Sequence, residues 1–154
     1  MKLLEFTSNG IYCSKADVYL DPWRGVEKAI ITHGHSDHAR WGSKSYITQI
    51  DNVPILKHRL GDICVSGKKY GDKFQINGVT FSFHPAGHVP GSSQIKVEYK
   101  GELWVFTGDF KTQEDKISTP YEPIKCNTFI TECTFGLPVY KWEKPKIVHE
   151  QINN

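Results

Sequence analysis

Long apolar runs are missing from this chain of 154 residues. No stretch approaches the roughly 20 consecutive apolar residues that a membrane-spanning helix needs. Glu5 also breaks the apolar start of the chain too early for a secretory signal. Charge of one sign is scarce: 19 basic and 17 acidic residues leave a formal net charge of +2, with the two signs interspersed. That excludes a basic tail but leaves room for a local phosphate-binding patch. The four cysteines, Cys13, Cys64, Cys126 and Cys133, show no C-x-x-C spacing. They read as free thiols in a reducing compartment, with a disulfide left open. Internal repeats, low-complexity segments and linkers are absent too. These absences predict a soluble, cytoplasmic protein with no membrane partner. Enough apolar material remains for a core, since 38% of residues are hydrophobic and 12% aromatic, and disorder is thereby excluded. The length suits one domain, or part of a larger one.

Helix signal is thin and strand signal dominates. Val18-Tyr19-Leu20 stops at Asp21-Pro22, and Lys28 to Thr32 is a short apolar run. Segments 73–76 and 79–83 flank Asn77-Gly78, a strong hairpin signal. Segments 95–99 and 103–107 flank Lys100-Gly101-Glu102, and 128–131 is one more strand of buried type. A helix is expected to start near Ser36, acting as N-cap, and another after Pro145. The pattern is a β-rich α/β domain.

Histidine is what this chain has in unusual places. Of its seven, five fall in Thr32-His33-Gly34-His35-Ser36-Asp37-His38 and His84-Pro85-Ala86-Gly87-His88. Random scatter would put about 0.3 in any six-residue window. Imidazole and carboxylate are ligands for zinc and similar ions, and this density suits one metal site or two adjacent ones. Gly34 would let the backbone turn so that His33 and His35 point the same way. A plausible split puts those two on one ion, with Asp37 and His38 on a second. In the second cluster His88 is the better ligand candidate; His84 closes a strand and reads as supporting or structural. Gly108-Asp109 follows a buried strand and offers a bridging carboxylate beside the two clusters. His58 and His149 read as ordinary surface residues. So do the basic or aromatic spots at Trp23-Arg24, Lys57-His58-Arg59, Lys68-Lys69-Tyr70 and Lys111.

In that order, His33-x-His35-x-Asp37-His38, Gly87-His88 and Gly108-Asp109 resemble the successive metal motifs of the metallo-β-lactamase superfamily. Asp21-Pro22-Trp23, the segment Thr32 to Gly42, Thr107-Gly108-Asp109-Phe110-Lys111 and Thr131-Glu132-Cys133-Thr134-Phe135-Gly136-Leu137-Pro138 resemble its β-CASP branch of nucleic-acid-processing nucleases. Within that branch the chain is similar to the bacterial ligase-associated DNA exonucleases, also labelled mRNA 3′-end processing factors. The likeness runs from about Leu4 to Trp142.

The resemblance implies the amino-terminal half of an αββα metallo-β-lactamase sandwich, with residues 1–154 a partial domain and the β-CASP region opening near 132–154. It implies two zinc ions, with manganese as a substitute: His33, His35 and His88 on one, Asp37 and His38 on the other, Asp109 bridging. Asp37 and Glu132 take catalytic roles. The implied reaction is hydrolysis of phosphodiester bonds, in DNA ahead of RNA, and DNA ligase and helicase repair proteins are the implied partners. The family pattern continues into a final histidine that His149, lying outside any matching motif, does not supply. The chain is therefore expected to be a fragment with poor activity alone. Two other readings stay open: a small ester or thioester hydrolase on the same scaffold, and a non-catalytic, metal-stabilised nucleic-acid-binding fragment.

Overall fold

A computed structural model describes residues 2–153. Six strands, β1 (Glu5–Thr7), β2 (Gly10–Cys13), β3 (Val18–Leu20), β4 (Lys28–Ile31), β5 (Ser45–Gln49) and β6 (Val65–Lys68), form one sheet in chain order. The first three are antiparallel neighbours, and β3 to β6 run parallel. A second sheet holds β7 (Phe74–Ile76), β8 (Val79–Pro85), β9 (Ser93–Tyr99), β10 (Glu102–Phe106) and β11 (Thr128–Ile130), ordered β11-β10-β9-β8-β7. Helix α1 (Val53–Leu60) joins β5 to β6, and α2 (Pro145–Asn153) lies near the end of the chain. The strand pattern predicts a β-rich α/β domain, and the resemblance implies the two stacked sheets; both are present.

Alternation along the strands explains how the sheets stack. In β8, Val79, Phe81 and Phe83 point one way; they meet Val18, Leu20 and Ile30 of the first sheet, with Ile95 and Val97 of β9 beside them. Strand β4 is buried on both faces, as parallel strands usually are. Its Ile30 faces the sandwich interior, while Ala29 and Ile31 pack with Tyr46 and Leu56 under α1. Both hairpins form as two-residue turns with left-handed pairs, Asn77-Gly78 and Lys100-Gly101. The partners of β8 and β9 on the opposite face are polar: Ser82 lies across from Lys96 and Thr80 across from Glu98.

One expectation is overturned, and several elements form that the sequence reading does not anticipate. The helix expected from Ser36 does not form: Ala39 N–H donates to the His35 carbonyl at 2.8 Å, a single turn that stops there. Gly42, at φ +105°, then redirects the chain into β5. Helix α1 was not expected, although proline in its first turn and Gly61 as its C-cap were legible signals. Strands β1, β2, β5 and β6 were likewise unanticipated.

Candidate metal centre

Strands β3 and β4 are parallel, and β8 and β10 both run antiparallel to β9. Their carboxyl ends therefore deliver short loops to one rim: Asp21 after β3, residues 32–39 after β4, residues 86–92 after β8, and Thr107-Gly108-Asp109 after β10. Ser93 N–H donates to the Thr32 carbonyl at 2.9 Å, joining the loops of the two sheets. Gly108 permits a close approach to this loop; it sits at φ +54°, and a Cβ there would lie 2.6 Å from Thr32 Oγ1. Gly34 serves closeness instead of a turn. Its φ is not left-handed, and a Cβ would meet Ile55 of α1 at 2.6 Å. Arg59, also on α1, donates to the carbonyls of Gly34 and Ala39, so the helix braces the histidine loop.

Four donors converge at this rim. One ligand atom each from His33, His35, His88 and Asp109 lies within 4.8 Å of the others. His35 Nδ1 is 2.9 Å from His33 Nε2 and 3.2 Å from His88 Nε2. Asp109 Oδ2 stands 3.8 Å from His33 Nε2 and 3.6 Å from His88 Nε2. Its other oxygen, Oδ1, faces His38 Nε2 at 3.0 Å, and Asp37 Oδ2 approaches the same nitrogen at 3.6 Å. The six residues thus form two adjoining groups that share Asp109.

Asp21 supports both groups, and the sequence reading gave it no role at the site. It is buried, with a left-handed φ of +42°. Its Oδ1 accepts the Thr32 N–H at 2.8 Å; its Oδ2 accepts the Thr32 hydroxyl at 2.6 Å and His38 Nδ1–H at 2.7 Å. Because the Thr32 hydroxyl has given its only hydrogen to Asp21, its oxygen must accept from His33 Nδ1, 3.1 Å away. That leaves the lone pair of His33 on Nε2, aimed into the cluster. An outer carboxylate that sets the ring tautomer is a common feature of metal-ligating histidine. The available signal was positional: Asp21 ends a strand parallel to β4, on the same rim.

Protonation follows from this geometry. Burial, with the neighbouring His38 charge, depresses His33 to about 3, so its imidazole is neutral at pH 7. Burial also lowers His88. Burial opposes charge on His38, but hydrogen bonds to Asp109 and Asp21 outweigh it and push His38 up to about 10. The His38 hydrogen bond holds Asp109 down at about 2. The donor chemistry fits a cation: His35 Nδ1 carries one hydrogen at most and cannot satisfy His33 and His88 together, whereas a metal ion accepts from all three. His33, His35, His88 and Asp109 are the residues placed to hold one.

Other histidines lie apart. His84 contacts Ser82 Oγ at 3.0 Å and Glu122 Oε1 at 2.9 Å, outside the cluster. His58 and His149 are exposed. Glu132 accepts from Phe110 N–H at 3.1 Å and from Thr134 Oγ1 at 2.6 Å; it thereby holds the residue that follows Asp109. Several basic or aromatic spots are engaged within the chain, Lys111 with Asp115 and the Tyr70 hydroxyl with the Ser92 carbonyl at 2.8 Å. No helix among the described residues is long and apolar enough to cross a membrane.

The chain matches no family model. It is 30% identical over 139 residues to a probable DNA ligase of Opitutus terrae, covering 86% of this chain and 13% of that protein. It is 28% identical over 123 residues to cleavage and polyadenylation specificity factor 73 of Drosophila melanogaster, covering 74% of this chain and 18% of the relative. It therefore spans less than a fifth of the length of either relative. Among solved structures, a motif mutant of a metallo-β-lactamase from Cronobacter sakazakii superposes with a TM-score of 0.51 at 16% identity, over 71% of this chain and 56% of that one. The two-sheet fold is that of the metallo-β-lactamases, and the relatives agree with the motif order along the chain, which resembles the β-CASP branch of that superfamily.

Proposed function

We propose that the rim is the dinuclear zinc centre of a nuclease that hydrolyses phosphodiester bonds, in DNA ahead of RNA. One observation carries the reading: the two oxygens of Asp109 face two separate sets of imidazole nitrogens, as a bridging carboxylate would. The relatives named as a DNA ligase and a cleavage factor support a nucleic-acid substrate over a thioester or lactone. The first of them also supports action beside a strand-joining partner.

Bound cations supply positive charge that acidifies water and offsets the negative charge growing on phosphorus. The chain's own residues do the rest. His33, His35 and His88 present ring nitrogens on one side of Asp109; on the other stand the Asp37 carboxylate and His38, whose Nε2 becomes a donor once its proton is lost. Asp37, 70% exposed at its side chain, is the carboxylate open to the substrate side and takes a proton from the attacking water. Glu132 fixes the Phe110 amide and with it the orientation of Asp109.

The test is turnover of a labelled oligonucleotide by zinc-loaded protein, in DNA and RNA versions, beside a thioester and a lactone. Asp109→Asn keeps the size and removes the bridging charge; it should release the second ion first and lower turnover by a factor on the order of 100 or more. Near-normal turnover in Asp109→Asn, or hydrolysis of the thioester alone, would refute the reading.

A further inference from the structure

A depression of about 300 Å³ opens beside the Asp37 and His38 side of the centre. That volume lies at the small end of ligand clefts. Its lining joins apolar Ile11 and Phe106, the rim residues Asp21, Asp37 and His38, and the side chains of Trp23 and Arg40.

Trp23 and Arg40 have firmly placed backbones and free side chains. Trp23 N–H donates to the Asn9 carbonyl at 2.8 Å, and the Arg40 carbonyl accepts the Tyr46 hydroxyl at 2.9 Å. The indole is nevertheless 49% exposed. Arg40 is exposed as well, and among the described residues no carboxylate forms an ion pair with its guanidinium. A half-exposed indole offers a flat face on which a planar ring can stack. An unpaired guanidinium in the same depression adds a planar, phosphate-matching donor set.

We infer that this depression is a nucleotide subsite of the proposed nuclease, with Trp23 stacking one unpaired base and Arg40 holding a phosphate next to the scissile one. The inference rests on the nuclease reading above. A base can present its face to the indole only when it is unpaired, so the subsite selects single-stranded nucleic acid. The carboxylates of Asp21 and Asp37 repel phosphate, which makes Arg40 and the bound cations jointly necessary for an anion to enter.

The experiment is fluorescence anisotropy of a labelled single-stranded oligonucleotide with the zinc-loaded protein, across a salt series. Trp23→Ala should weaken binding roughly ten-fold or more, and Trp23→Phe should restore most of it. Arg40→Gln should weaken binding and flatten the log Kd against log salt slope by about 0.7. Zinc content and melting temperature should stay at wild-type values in all three, which separates a lost contact from a lost fold. Wild-type affinity in both Trp23→Ala and Arg40→Gln overturns the subsite, and so does a Trp23→Phe variant as weak as Trp23→Ala. A wild type that does not bind the strand also overturns it. A wild type that binds the strand, loses binding in these variants and hydrolyses nothing removes the nuclease reading while the subsite stands.

Discussion

Asp21 accepts from the Thr32 amide, the Thr32 hydroxyl and His38 Nδ1, and so decides which nitrogen of His33 and His38 is free to bind a cation. Asp21→Asn preserves the volume but replaces an acceptor with an NH2 donor, which faces the Thr32 hydroxyl or His38 Nδ1–H. Zinc affinity should drop by roughly 10- to 100-fold although Asp21 is not a ligand; competition with a chromophoric chelator measures it, and unchanged affinity would count against the tautomer argument. His38 gives a second residue-scale prediction. Its raised pKa, about 10, means that it carries a proton at pH 7 which binding through Nε2 must expel. His33 and His88 are depressed and have none to lose at that pH. Filling the second site should therefore release about one proton per ion at pH 7, and the release should fade as pH rises through about 10. Titration calorimetry in buffers of different ionisation enthalpy reads this directly, and His38→Ala should abolish it.

At the scale of elements, the loops matter more than the strands that carry them. The β10 turn must bring Gly108 against Thr32, and no side chain fits there. Gly108→Ala combines a left-handed backbone with a 2.6 Å contact to a hydroxyl already fixed between Asp21 and His33. Gly101→Ala has a similar backbone, φ +84°, with nothing within 4 Å, so it isolates the conformational cost. That cost is about 1 kcal/mol. Gly108→Ala should cost at least about twice as much in urea unfolding and should also weaken zinc binding, whereas Gly101→Ala should leave zinc binding intact. Equal losses in the two variants would mean that the close approach to Thr32 is unimportant.

For the whole molecule, the candidate ligands come from both sheets: residues 33–38 from the loop after β4, His88 and Asp109 from loops of the second sheet. An ion held there ties one sheet to the other at the rim, beyond the Phe81, Phe83 and Ile30 packing inside. At a hundred-fold excess over its Kd, a ligand specific for the folded state adds about 2.7 kcal/mol. For a chain of this length that is a rise in melting temperature of roughly 5–10 °C. Zinc should raise the melting temperature by that amount and a chelator should reverse it, with a smaller rise in Asp109→Asn. Identical melting curves with zinc and with chelator would show that no ion bridges the sheets.

Periodicity and turn chemistry determined much of this protein without the structure. Val79-Thr80-Phe81-Ser82-Phe83 alternates, Asn77-Gly78 turns, and the clustering of His33, His35, Asp37 and His38 announces a cation site, because each is a local property of neighbouring residues. The parallel pairing of β3 with β4 is not local, and it alone carries Asp21 to the rim where it holds Thr32 and His38. The same pairing of distant elements made Ser36 the start of one turn instead of a helix, since the chain there bends to meet ligands from another sheet. It also set Arg59 to brace the histidine loop, and left Trp23 and Arg40 beside Asp37. Residue chemistry is written along the chain; which nitrogen faces inward, and which residues share a cleft, depends on contacts among strands and loops far apart in the sequence.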